Sequence, residues 1–272
     1  MGNKQARFFV DYENTRFLQT SQVKAQPYRL NWRCEVLLTR HQQAITGKRV
    51  LDLASHDGRF SYACLKLGAR HVTGVEGREY LIKSATENLT ALGYTEKQFS
   101  FIQGDVFDYL KGVNPKEFDT ILCLGIFDHT IRQTEMVREV KRIHPSHLIL
   151  DLFAERGIFI NPFKWLKLIG RLRFRHLAHT PETMETARKV VKTERGTACL
   201  VFRPESHLKE SSTIDPIDLA ARPTRAFVEM IFSSHGFDIK QLQWNQQGIK
   251  DWTNLADYRD GTRASYIARL PE

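Results

Sequence analysis

Three acidic residues lie at the ends of short apolar runs, and their spacing suggests a binding site. Asp52 sits in "RVLDLAS", Glu76 closes "HVTGVE" 24 residues later, and Asp105 closes "FSFIQGD". A carboxylate at the tip of a second strand can accept hydrogen bonds from both ribose hydroxyls of a nucleoside. An aspartate ending a third strand can accept from an adenine amino group, while the next backbone amide, that of Val106, meets a ring nitrogen. Alone, each acid reads as a helix cap or a turn residue. Placed on successive strand ends, the three point to a nucleoside site. A second set, Asp128 and His129 in "GIFDHT", suits acid–base work. A neutral imidazole can take a proton from a phenol or a carboxylic acid near neutrality. Phe127 beside them is placed to line the path to the reacting atom. The other reading is that Asp128 caps the next helix and His129 packs. The ten histidines are dispersed, no metal-ligand spacing occurs, and no metal is expected.

These residues need elements to hold them. A helix is predicted from about Leu30 to Gln43. Strands and helices then alternate: "RVLDLAS", "RFSYACLKL", "HVTGVEG", "EYLIKSATENLTAL", "FSFIQGD", "VFDYL", "FDTILCLG", "TEMVREVKRI" and "HLILDLF". Near-continuous apolar strands separated by helices imply a parallel sheet covered on both faces. Right-handed crossovers put the ends of strands one and four side by side, where such sheets bind ligands. The rhythm breaks over 154–205 and resumes in "TRAFVEMIFSSHGF", with "DIKQLQW" and "ASYIARL" as two last strands. The expected fold is α/β: a doubly wound, mostly parallel seven-stranded sheet with helices on both faces. An N-terminal helical segment (1–46) precedes the core (47–153). A basic amphipathic insertion (154–222) follows strand five, and a helix and strand pair (223–272) complete the sheet.

The turn after the first strand, Asp52-Leu53-Ala54-Ser55-His56-Asp57-Gly58, carries one glycine. With the three acids it resembles the class I S-adenosylmethionine-dependent methyltransferases over roughly residues 48–153, and the final helix and strands also fit that family's sheet. The family pattern is D-x-G-x-G-x-G, so Ala54 and His56 stand where glycines are usual and Gly58 matches. The resemblance implies S-adenosyl-L-methionine as cofactor, with contacts from Asp52, Ala54, His56, Gly58, Glu76, Asp105, Val106 and Leu124. It places Asp128 and His129 beside the acceptor as the catalytic pair. His56 can cap the helix, touch the cofactor carboxylate or face the acceptor. A dinucleotide fold is disfavoured, because the turn lacks the glycines that admit a pyrophosphate.

Six of the nine net positive charges fall in 156–176, where Arg156, Lys164, Lys167, Arg171, Arg173 and Arg175 meet no acid and interleave with aromatics. Three readings stand for this stretch: a lid that solvates its cations, peripheral membrane contact through 158–175, and, with less support, RNA phosphate contact. The insertion is similar in placement to that of quinone-type O-methyltransferases. "NWRCEVLLTRH…GKRVLDL" and "RPTRAFVEMIFSSHGF" resemble the tRNA wobble-uridine carboxymethyltransferases. The expected activity is methyl transfer to a small-molecule, hydrophobic acceptor. The alternatives are an RNA (tRNA) methyl- or carboxymethyltransferase and an inactive scaffold with the same fold. Four scattered cysteines, no membrane-length apolar run and no signal-peptide core indicate a cytoplasmic protein with buried thiols. No obligate protein partner is indicated.

Overall fold

The computed structural model describes residues 8–20, 26–155, 198–204 and 219–271. Stretch 158–175 lies outside the described residues. The elements are α1 (Phe17–Thr20), α2 (Pro27–Leu37), β1 (Arg49–Leu53), α3 (Arg59–Lys66), β2 (His71–Glu76), α4 (Glu79–Ala91), β3 (Phe99–Gln103), α5 (Val106–Gly112), β4 (Thr120–Leu124), α6 (Gln133–Ile143), β5 (His147–Phe153), β6 (Leu200–Pro204), β7 (Leu219–Pro223), α7 (Arg225–Ser234), β8 (Asp238–Gln241), α8 (Ala256–Arg259) and β9 (Arg263–Arg269).

Seven strands form one sheet in the order β3-β2-β1-β4-β5-β9-β8. All pair in parallel except β9, which runs against both its neighbours. Asp52 sits between Gly74 of β2 and Leu122 of β4, and Leu124 pairs with Asp151 of β5. The order reverses between β1 and β4, so the carboxyl ends of those strands flank the switch point. The seven-stranded, mostly parallel expectation therefore holds.

Strand alternation divides the core between the two faces. Val50, Leu122 and Ile149 join the cluster under α3, α4 and the N-terminal residues. Leu51, Leu53, Ile121, Cys123, Leu148 and Leu150 join the cluster under α5, α6 and α7. Asp52 shares its face with Val50, so its side chain points toward α3. Helix α6 shows the expected spacing: Met136, Val137, Val140 and Ile143 are buried, and left-handed His144 (φ 57°) ends it.

Three local expectations change. The first helix begins at Pro27, which suits a first-turn position, and ends at Leu37. A 3₁₀ segment, Thr39–Ala44, follows, with His41 outside helical geometry. Second, the stretch expected to break the rhythm carries a two-stranded antiparallel sheet, β6 with β7. Third, Cys34, Cys64 and Cys123 are buried but Cys199 is only half-buried. No helix among the described residues is long and apolar enough to cross a membrane.

Candidate cofactor and acceptor site

The turn between β1 and α3 is left-handed at three alternate residues, only one of them a glycine. Ala54 (φ 55°), His56 (φ 54°) and Gly58 (φ 79°) are all left-handed. An L-residue there costs about 1–2 kcal/mol, so Ala54 and His56 hold strain that glycines would not. Gly58 has a second constraint: an added Cβ would come within 3.0 Å of Phe101, 3.1 Å of Ala85 and 3.2 Å of Leu89. Gly74 of β2 is tighter still, since a Cβ there would meet the Phe101 ring at 2.5 Å and Ser55 Oγ at 2.7 Å. The missing side chain lets the turn settle onto the sheet.

Hydrogen bonds then fix the turn. Ser55 N donates to Val75 O (3.0 Å), and Gly58 N donates to Ser55 O (3.0 Å). His56 N donates to Glu76 Oε2 (3.1 Å). Glu76 Oε1 also accepts from Arg78 N (3.1 Å) and Arg78 Nε (2.8 Å). Asp57, fully buried, accepts from Arg59 Nε (2.7 Å) and Thr20 Oγ1 (2.9 Å). Asn88 Nδ2 donates to Thr20 Oγ1 and to Asp57 O. Tyr12 OH donates to Arg59 O (2.5 Å). Residues 8–20 are thereby strapped over the turn.

Three carboxyl groups gather here, and they differ in charge balance. Burial pushes Asp57 up, but the His56 ring and the Arg59 guanidinium outweigh it and hold the group at about 2. Glu76 is paired with Arg78. Asp52 accepts from Ser61 Oγ (2.7 Å) and has no ion pair among the described residues. Burial, with Glu76 and Asp57 nearby, pushes it up to about 7. Asp105 lies just beyond β3 and acts as the N-cap of α5, where its Oδ1 accepts from Phe107 N (2.8 Å) and Asp108 N (3.0 Å). Val106 is buried at the start of α5, and Leu124 is half-buried at the end of β4.

Beyond β4, Asp128 is 1% exposed, and neither oxygen meets a donor in hydrogen-bond geometry among the described residues. It does not cap α6, whose N-cap is Arg132. Burial raises the carboxyl, moderated by the nearby charges of His129 and Arg263. His129 Nε2 lies 3.5 Å from Asp128 Oδ2. Phe127, expected along the path to the reacting atom, is fully buried against Phe232 (ring centroids 5.7 Å apart).

The sequence reading missed a charged cluster beside this loop. Asp151 Oδ2 accepts from Arg33 Nη2 (2.7 Å), Arg263 Nε (2.8 Å) and Tyr258 OH (3.0 Å), and Oδ1 accepts from Ser265 Oγ (2.7 Å). The two guanidinium groups outweigh burial and hold Asp151 far below the usual carboxylate range. Arg263 also lies over Phe153 (4.5 Å), with Arg222 over the same ring (5.0 Å). These residues come from four separate stretches of chain, so no local motif announces them. The only available signal was an aspartate inside the otherwise apolar "HLILDLF". Among the described residues, no group of His, Cys, Asp and Glu is placed to hold a metal.

The strand order is that of the methyltransferase Rossmann-like fold. Residues 45–161 match the methyltransferase domain family model. A protein from Listeria monocytogenes assigned as an S-adenosylmethionine-dependent methyltransferase superposes with a TM-score of 0.58 at 14% identity, covering 91% of this chain and 100% of that one. The N-terminal domain of EvdMO1 with S-adenosylhomocysteine (SAH) bound superposes at 0.56, also with 14% identity, over 94% and 84% of the two chains. By sequence, the chain is 27% identical over 77 residues to a ribosomal protein L11 methyltransferase of Prochlorococcus marinus, covering 28% of this chain and 25% of that one. It is 29% identical over 134 residues to a tRNA U34 carboxymethyltransferase of Nautilia profundicola, covering 46% of this chain and 41% of that one. The matched stretch is thus a quarter to about two-fifths of these relatives' length.

The residues present fit the cofactor of this fold. A cationic sulfonium suits a turn whose buried Asp52 has no ion-pair partner among the described residues. The left-handed backbone at Ala54, His56 and Gly58 keeps a chain path that glycine adopts readily.

Proposed function

We propose that the protein transfers a methyl group from S-adenosylmethionine to a small-molecule acceptor. The observation that carries this reading is the turn 54–58, left-handed at alternate residues, with Glu76 hydrogen-bonded to His56 N and Asp52 without an ion-pair partner among the described residues. When bound, the cofactor supplies an activated methyl group on a good leaving group. Glu76 would accept from the ribose hydroxyls, with Arg78 yielding part of its hold. Asp105 Oδ1 is engaged in capping α5, so adenine recognition there would use the other carboxylate oxygen and the Val106 amide. On the acceptor side, His129 with Asp128 would remove a proton from an acidic hydroxyl or carboxyl group. Alignment of donor and acceptor by the crevice walls would supply much of the rate. Stretch 158–175, by its sequence, would cover the acceptor and recruit a hydrophobic or anionic partner, including a membrane surface.

The test is transfer of label from S-adenosylmethionine into a metabolite extract, followed by identification of the labelled product. Label appearing in a small molecule supports the reading. Label appearing only in RNA overturns the acceptor class, and none in any fraction supports the inactive scaffold. A second reading, carboxymethyl transfer to RNA, draws on one observation. Arg33 and Arg263 share the single carboxylate of Asp151, which leaves a surplus guanidinium beside the loop that carries Asp128. A carboxylate on the transferred group would match that surplus.

A further inference from the structure

We propose that Arg33 and Arg263 form an anion-binding subsite that holds a carboxylate of the acceptor, away from the atom that is methylated. This rests on the reading that the protein methylates a small molecule in the crevice.

The fold puts both guanidinium groups on the acceptor side of the switch point. Leu122 of β4 lies between Asp52 of β1 and Ile149 of β5. Asp151 follows Ile149 by two residues, so it shares the sheet face of Asp52. It stands two strand spacings, about 10 Å, to one side. Arg263 comes in from β9: a Cβ added at Gly125, just past β4, would lie 3.4 Å from its Nη2. Arg33 comes in from α2, and its guanidinium lies over the ring of Phe60, in the first turn of α3, at 4.7 Å. The N-terminal helix thereby brings a charge to the carboxyl edge of the sheet.

The charges there do not balance. Arg33, 11% exposed, and Arg263, 8% exposed, both pair with the fully buried Asp151. Tyr258 OH and Ser265 Oγ take the rest of that carboxylate's accepting capacity. Asp257, the next acid around Tyr258, is engaged by two hydrogen bonds from Arg29. Asp128 accepts from neither guanidinium, and burial works against its charge. Arg33 Nε is buried without a hydrogen-bond partner among the described residues. One positive charge and one donor are left over where little water reaches. Such a charge is costly until an anion offsets it. The surplus is a single unit, so a carboxylate balances it and a phosphate dianion would overshoot. A guanidinium edge also matches the plane of a carboxylate. Phe60 and Phe153, each against one of the two guanidinium groups, supply apolar walls for the body that carries it.

The experiment is calorimetry on SAH-saturated protein with two probes, benzoate and benzamide, which share a shape and differ in charge. It compares wild type with Arg33→Gln and Arg33→Lys. The expected result is that wild type prefers benzoate by about tenfold or more, that Arg33→Gln loses the preference and that Arg33→Lys keeps part of it. SAH affinity should stay near wild type in both variants. The thermal midpoint of unliganded Arg33→Gln should equal or exceed that of wild type, because Asp151 keeps Arg263 and the surplus charge is gone. A clear fall in that midpoint would make Arg33 a structural partner of Asp151 and overturn the inference. Equal binding of the two probes by wild type, no binding of benzoate, or a preference that survives in Arg33→Gln overturns the inference alone. If the S-carboxymethyl sulfonium of SAH binds more tightly than SAH and Arg33→Gln abolishes the gain, the surplus serves the transferred group, and the inference is overturned. Wild-type protein that does not bind SAH overturns the methyl-transfer reading, and this inference with it.

Discussion

At the residue scale, Asp128 and His129 differ in how they meet their surroundings. Asp128 is buried with no hydrogen-bond partner among the described residues, which is costly unless a ligand or its own proton compensates. His129 is partly exposed beside it. If His129 is the base, His129→Ala lowers turnover by roughly 10²–10⁴-fold. SAH affinity, read by calorimetry, stays near wild type. The loss should shrink as pH rises, because a more ionised acceptor needs less help. Intact turnover would leave alignment as the main source of rate. Asp52, Glu76 and Asp105 were legible because each follows an apolar run at a strand end. Asp57, Arg59 and Arg78 were not singled out, since adjacent charges in a turn look like solvated residues until burial is known. Arg33, Asp151 and Arg263 meet only through the fold.

At the element scale, the β1–α3 turn is strained and the strand pairs are not. Ala54→Gly should stabilise the protein by up to about 1 kcal/mol, as relief of left-handed strain is partly offset by the added freedom of the unfolded chain. A rise in the thermal midpoint would show this, and a fall would mean that the Ala54 methyl packs usefully. The Asp151 cluster should behave in the opposite way. Asp151→Asn leaves Arg33 and Arg263 buried without their counter-charge and should cost about 3–5 kcal/mol in urea unfolding. Strands β1 to β5 were legible because apolar runs of strand length alternate with amphipathic helices. The end of α2 at Leu37 was not, because the apolar spacing continues through Ala44 and Ile45 while the backbone changes to 3₁₀ geometry. Pairing of β6 with β7 was hidden by their separation in sequence.

At the scale of the whole molecule, opposed carboxyl shifts shape stability against pH. Asp57, held at about 2, adds stability above the ordinary aspartate range, and that stability is lost as pH falls toward 2. Asp52, raised to about 7, does the reverse: its contribution is full below the ordinary aspartate range and is lost as pH rises toward 7. Maximum stability is therefore expected on the acid side of neutrality, with a decline on the order of 3 kcal/mol by pH 8. Asp52→Asn should flatten that decline, as denaturant midpoints across pH 5–8 would show. The α/β architecture was legible in the alternation of elements. The strap of residues 8–20 over the turn was not, because Tyr12, Phe17 and Thr20 show no periodicity and acquire meaning only against Arg59, Tyr62 and Asp57. The central claim is that the nucleoside of S-adenosylmethionine lies over the ends of β1 to β3 with its ribose on Glu76. Calorimetry of SAH binding to wild type and Glu76→Ala tests it most directly. The expected result is clear binding by wild type and a loss of about 1.5–3 kcal/mol, tenfold or more in affinity, in the variant. Equal affinity in the two proteins, or no binding by wild type, would contradict it.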